Sequence, residues 1–209
     1  MAMSESTIDS FIKELSSSAP VPGGGGAAGL VAGVGMSLSN MVMALTTGKK
    51  KYAEYQSEIE EIIAKANVIT RELLDAMDKD AVAFEPLSKA YGLPKNTEEE
   101  LAKRNEVLEA ALVVACEAPL ALMEKIVKAI ELTKRVAEIG SRLAISDAGV
   151  AVQCLKAALN GASLNVYINT KMMKDRAKAE EFDKKADDMI KAGSAMADEV
   201  YEAVLAAIR

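Results

Sequence analysis

The sequence predicts an all-α protein, a single-domain helical bundle with one long central helix. Three observations point there. Half of the 209 residues are apolar, but only 4% are aromatic and Trp is absent. The apolar mass is therefore Ala, Leu, Ile, Val and 11 Met, which favours helix over sheet. From Tyr52 to Tyr91, apolar residues recur at Ile59, Ile62, Ile63, Ala66, Leu73, Leu74, Met77, Ala81 and Phe84, the helical period. No stretch alternates with period two for long enough to make a strand. The length suits one domain over residues 1–209 with a sizeable core, and neither an internal repeat nor a domain-sized linker interrupts it.

The elements follow in order. A short helix fits Thr7 to Leu15, with Ser6 as its N-cap and Asp9 three residues on. The run Ser16-Ser17-Ser18-Ala19-Pro20-Val21-Pro22 breaks it. Gly23 to Gly26 leads into an uncharged helix, Ala27 to Thr47, which ends near Gly48. The long periodic stretch is stopped by Gly92-Leu93-Pro94. Thr97, with Glu98, Glu99 and Glu100 behind it, forms a capping box that opens the next helix. Pro119 restarts or kinks that helix and Gly140 ends it. Further helices fit Ser141–Leu159, Ala162–Lys171 and Asp175 to the C-terminus, giving six to eight in all.

Composition excludes several chemistries. The chain has no His, so there is no Ser-His or Cys-His pair, no His-ligated zinc and no imidazole shuttle. Acid–base work falls to Asp, Glu, Lys, Tyr or Cys. A net charge of −6 argues against wrapping nucleic acid. Cys116 and Cys154 are far apart and read as two free thiols in a reducing, cytoplasmic setting. Glu5 and Asp9 near the start are unlike a secretory signal. The uncharged helix is long enough to span a bilayer. Its Gly29, Gly33, Gly35, Ser37, Ser39 and Asn40 make it a buried core helix instead.

Four groups of residues invite a chemical reading. Gly24-x-Gly26-x-x-Gly29 has dinucleotide-fingerprint spacing but follows no strand, and no Lys-Ser/Thr pair makes it a Walker loop. Either Gly25, Gly29 and Gly33, four apart, let another helix approach, or free N–H groups at the helix start hold a carboxylate or carbonyl. On a helical wheel with Met77 at zero, Phe84, Leu73 and Ala81 lie within about 40° and Asp80 about 60° away. Asp78 and Asp75 point toward solvent. Asp80 is thus the acid that the packing face claims, either in a buried ion pair or as an acid–base group with a raised pKa. Asp147 repeats the pattern on the face Leu143, Asp147, Val150, Cys154. Asn165 and Asn169 stand one turn apart in an apolar segment. Together with Asp80 these suggest a polar site within an apolar bundle. Lys49, Lys50 and Lys51 read either as a solvated run at a helix C-terminus or as a dock for an anionic substrate tail.

Ser18-Ala19-Pro20-Val21-Pro22-Gly23-Gly24-Gly25, Gly48-Lys49-Lys50-Lys51-Tyr52, Asp78 to Phe84 and Tyr91-Gly92-Leu93-Pro94-Lys95 resemble the cyclodeaminase domain of the formiminotransferase-cyclodeaminase family. Glu117-Ala118-Pro119-Leu120, Ile145-Ser146-Asp147 and Leu164 to Asn169 extend the match to nearly the whole chain. Some free-standing bacterial relatives are described as methenyltetrahydrofolate cyclohydrolases. The resemblance implies an all-helical homodimer acting on a tetrahydrofolate one-carbon unit, with or without a polyglutamate tail, and with no metal or other cofactor. It places the catalytic acid in the segment Asp78 to Phe84, and the helical wheel carries that role to Asp80, with Asp78 as fallback. With the residue patterns above, the candidate substrate-binding residues are Pro22, Gly23, Gly24, Gly25, Lys49, Lys50, Lys51, Asp147, Asn165 and Asn169. Ile145 departs from the family pattern, where Arg often precedes the Ser-Asp pair. The expected reaction closes 5-formiminotetrahydrofolate to the methenyl form with loss of ammonia. Hydrolysis of the methenyl bridge is the alternative, and a non-catalytic helical module the second.

Overall fold

A computed structural model describes residues 2–209, and every regular element among them is helical. Six α-helices follow in order: α1 Ile8–Leu15, α2 Gly24–Ala44, α3 Gln56–Tyr91, α4 Glu98–Ile139, α5 Ile145–Thr170 and α6 Arg176–Ile208. Short 3-10 turns cover Met3–Glu5, Lys50–Tyr55 and Arg142–Ala144. Helix α4, 42 residues long, packs against α3, α5 and α6 and touches α2, while α2 lies between α3 and α5. The core is built from aliphatic side chains and methionine, with few aromatics. Met36, Met123, Ile126, Ile130, Leu155 and Leu159 are all fully buried, and Ser39 and Thr133 share a 2.8 Å hydrogen bond across α2 and α4.

Local chemistry explains the boundaries. Thr7, not Ser6, caps α1, its hydroxyl accepting from the Ser10 amide. The capping box at Thr97 is formed, with Glu100 reaching back to the Thr97 amide. Helix α2 starts three residues before the expected Ala27, because the glycines already wind into its first turn. Residues 145–170 form one helix rather than two, Gly161 staying helical within it.

Pro119 likewise sits inside an unbroken α4. It has no N–H to give the Ala115 carbonyl one turn back. The Asn169 side chain takes that place, donating to Ala115 O at 3.0 Å and to Asn165 O at 2.8 Å. A side chain from α5 thus repairs the helix that a proline would otherwise break.

Helix α2 has the length and apolarity of a membrane span, yet half of it is buried against its neighbours. Gly29 and Gly33 explain the close fit to α3. A Cβ at Gly29 would stand 2.9 Å from Met77 Cγ and 3.1 Å from the Leu73 carbonyl oxygen. At Gly33 it would stand 2.9 Å from Leu74 Cδ2. On the other flank, a Cβ at Gly35 would lie 2.8 Å from the Ala151 carbonyl oxygen of α5.

Candidate active site

Gly25 continues the glycine face of α2 by one turn, and what it meets is a carboxyl group. A Cβ on Gly25 would collide with the carboxyl carbon and both oxygens of Asp80. The missing side chain is therefore what lets Asp80 lie against the first turn of α2. No side chain caps this helix at Gly23, so the amides of its first turn are not satisfied by a cap. Asp80 is half-buried, and burial alone pushes its carboxyl above the ordinary value of 3.8. Among the described residues it has no cationic partner, so the ion-pair reading does not describe it.

The surroundings of Asp80 open outward. From Asp78 to Pro86 no residue of α3 is fully buried, whereas Met77 before and Leu87 after this stretch are. Asn165 approaches from α5. Its Nδ2 donates to the Gly161 carbonyl at 3.3 Å, and its Oδ1 lies 3.4 Å from where a Gly24 Cβ would stand. Pro22 is buried against Gly26, after a cis Val21–Pro22 peptide bond. Gly23, Gly24, Gly25, Pro22, Asp80 and Asn165 thus share one end of the bundle.

Other expected site residues are elsewhere. Asp78 is half-buried and accepts from the Met3 amide at 3.0 Å, holding the N-terminal turn against α3. Asn169 is committed to the main chain of α4 and α5, as described above. Helices α2 and α5 run antiparallel, with Gly24 beside Asn165 and Thr46 beside Ser141. Lys49 donates to Ser141 Oγ at 3.1 Å. The lysine run and the glycine loop therefore lie at opposite ends of a 21-residue helix, about 30 Å apart. Asp147, in the first turn of α5, is also at the lysine end. The face it shares with Leu143 and Val150 looks outward, for both neighbours are exposed. Ile145 is buried among Ala137, Val200 and Val204, again far from Asp80. A single chain does not bring Lys49–Lys51 or Asp147 to Asp80, which corrects the expectation of one shared cavity.

Sequence reasoning missed Met3. Its amide holds Asp78, and its sulfur lies 3.9 Å from where a Gly26 Cβ would stand. Contacts spanning seventy-five positions leave no periodic signal.

Comparison with known proteins gives the family. Residues 7–188 match the family described as formiminotransferase-cyclodeaminase. A methenyltetrahydrofolate cyclohydrolase from Methylorubrum extorquens is 43% identical over 198 residues, 95% of each chain. The formimidoyltransferase-cyclodeaminase of Rattus norvegicus is 32% identical over 171 residues, which are 82% of this chain and 32% of the rat protein. The crystal structure of formiminotetrahydrofolate cyclodeaminase from Thermotoga maritima matches with a TM-score of 0.80, covering 97% of this chain and 96% of that one at 27% identity. The chain belongs to the formiminotransferase-cyclodeaminase family.

Proposed function

We propose that the chain is a folate one-carbon enzyme that works on the carbon bridging N5 and N10 of tetrahydrofolate, with Asp80 as its acid–base group. The observation that carries this is the Asp80 carboxyl, lacking a cationic partner, seated on Gly25 at the start of α2. In the first reading the substrate is the methenyl form. Water adds to the bridging carbon while the Asp80 carboxylate takes its proton. The adduct then collapses with cleavage of the C–N5 bond, N5 receiving the proton from Asp80 while the hydroxyl proton passes to solvent, to leave the 10-formyl product. The full-length match to a methenyltetrahydrofolate cyclohydrolase supports this reading.

The second reading is cyclodeamination, favoured by the rat and Thermotoga relatives. There N10 attacks the formimino carbon and the acid form of Asp80 protonates the departing nitrogen, so that ammonia leaves and the methenyl bridge remains. A carboxyl raised by burial suits both directions of proton transfer. The reaction as proposed uses no metal or other cofactor. The negative net charge fits a small-molecule substrate rather than nucleic acid, and the unpaired Cys116 and Cys154 fit a cytoplasmic setting.

Paired absorbance assays of the methenyl chromophore test this. Loss of the chromophore from methenyl-folate, faster than the uncatalysed rate and dependent on Asp80, is the expected result. Its appearance from formimino-folate would select the second reading. Activity in neither assay would leave the helical-module alternative.

A further inference from the structure

At the end of the bundle away from Asp80, α6 runs past α4 and the start of α5 without filling the space between them. The reason is side-chain size. Ala203 and Ala207 stand one turn apart on α6, and Ala137 borders the same gap from α4, so only methyl groups reach into it. The result is a hollow of ≈ 330 Å³, within the range of small-molecule sites. Ile145, Val200 and Val204 form its floor and are buried, while Ala203 and Ala207 are exposed at its mouth. Its α6 side lies beyond residue 188, where the match to the family ends. Four charged residues border the hollow, and three of them are already paired. Lys134 Nζ donates to both carboxylate oxygens of Glu199 at 2.8 Å, from α4 to α6. Glu138 accepts from Arg135 at 2.8 Å. Arg142 differs: among the described residues its guanidinium pairs with no acid. Its main chain is nonetheless anchored. The Arg142 amide donates to the Tyr52 hydroxyl at 3.1 Å, and the Ser141 amide donates to the buried Thr46 hydroxyl at 2.8 Å.

We propose that this hollow binds a monocarboxylate with an apolar body, its hydrocarbon part on Ile145, Val200 and Val204 and its carboxylate on Arg142. Shape and charge together choose this class. The aliphatic floor calls for an apolar body, whose burial supplies most of the affinity. A wholly neutral ligand would leave the guanidinium without a partner. A ligand with several negative charges would meet Glu138 and Glu199, which stand on the same rim. A single carboxylate at one end satisfies both constraints, and its two oxygens match the paired N–H groups of a guanidinium. The hollow lies at the lysine end of the bundle, far from Asp80, so the inference does not rest on the function proposed above.

Octanoate serves as the probe and octanol as its uncharged counterpart, each titrated into the full chain and followed by methyl NMR. Octanoate is expected to saturate with a Kd of about 1 mM and to shift the methyl signals of Ile145, Val200 and Val204. Arg142→Gln should weaken octanoate about two- to fivefold, the range of an exposed ion pair, and leave octanol unchanged. The double variant Ala203→Leu, Ala207→Leu fills the hollow from two exposed positions, so the helices should still pack. It should abolish the binding of both probes. No saturation of octanoate by about 10 mM, shifts confined to other methyl groups, or binding that survives the filled hollow overturns the site. Octanoate binding that is unchanged in Arg142→Gln, or weakened there no more than octanol, overturns the carboxylate class. That comparison needs only the single surface variant, and so decides the matter even if the filled variant folds poorly.

Discussion

Asp80 sits where burial disfavours its charged form, and this has consequences for both rate and stability. Asp80→Asn removes the proposed proton-transfer group while keeping the shape, so turnover should fall by about two to four orders of magnitude with substrate affinity near wild type. Retention of more than half the activity would remove Asp80 from the mechanism. The pH profile should carry a limb above the ordinary carboxylate range, because desolvation raises this group from 3.8. Methenyl hydrolysis needs the ionised form, so its rate should rise as pH passes the raised value. Cyclodeamination needs the acid form and should fall there. The limb should vanish in Asp80→Asn for either reaction. Stability follows the same shift: a raised carboxyl contributes stability that is fully present below 3.8 and lost as pH rises through the folded-state value. At neutral pH the wild-type carboxylate therefore costs stability, and Asp80→Asn should melt higher than wild type, the difference shrinking toward acid. Thermal melts at neutral and acidic pH check this.

At the scale of the helix, two glycines one turn apart have different work. A Cβ at Gly29 meets the Leu73 main chain, which cannot rotate away, so Gly29→Ala should force α2 from α3 and cost about 1–3 kcal/mol. The three atoms nearest a Cβ at Gly25 all belong to the end of the Asp80 side chain, which can swing aside. Gly25→Ala should keep near wild-type stability yet lower turnover by about 10- to 100-fold through misplacement of the acid. Combined with Asp80→Asn it should add little further loss, since both changes remove the same group. Asn169 gives the opposite separation. Asn169→Ala leaves the Ala115 carbonyl buried without a donor and should cost about 1–3 kcal/mol while KM stays put. Denaturant titrations beside steady-state kinetics distinguish the three. Element type was legible because the helical period is plain in α1, α3 and α6, and because no long segment alternates with period two. The breaks were not, because Pro119 and Gly161 read as punctuation in sequence. They stay helical since Asn169 supplies the donor that Pro119 lacks and neighbours bury the helix around Gly161.

The whole molecule decides what reaches the site. Wheel geometry placed Asp80 beside the packed stripe of α3, and glycine spacing marked a face of α2 that another helix could approach, because both patterns are local to one helix. The chain order alone could not show that Lys49–Lys51 and Asp147 lie about 30 Å from Asp80, since that depends on α2 and α5 running antiparallel. It also could not separate the buried glycine face of α2 from its outer face, as neither bears charge.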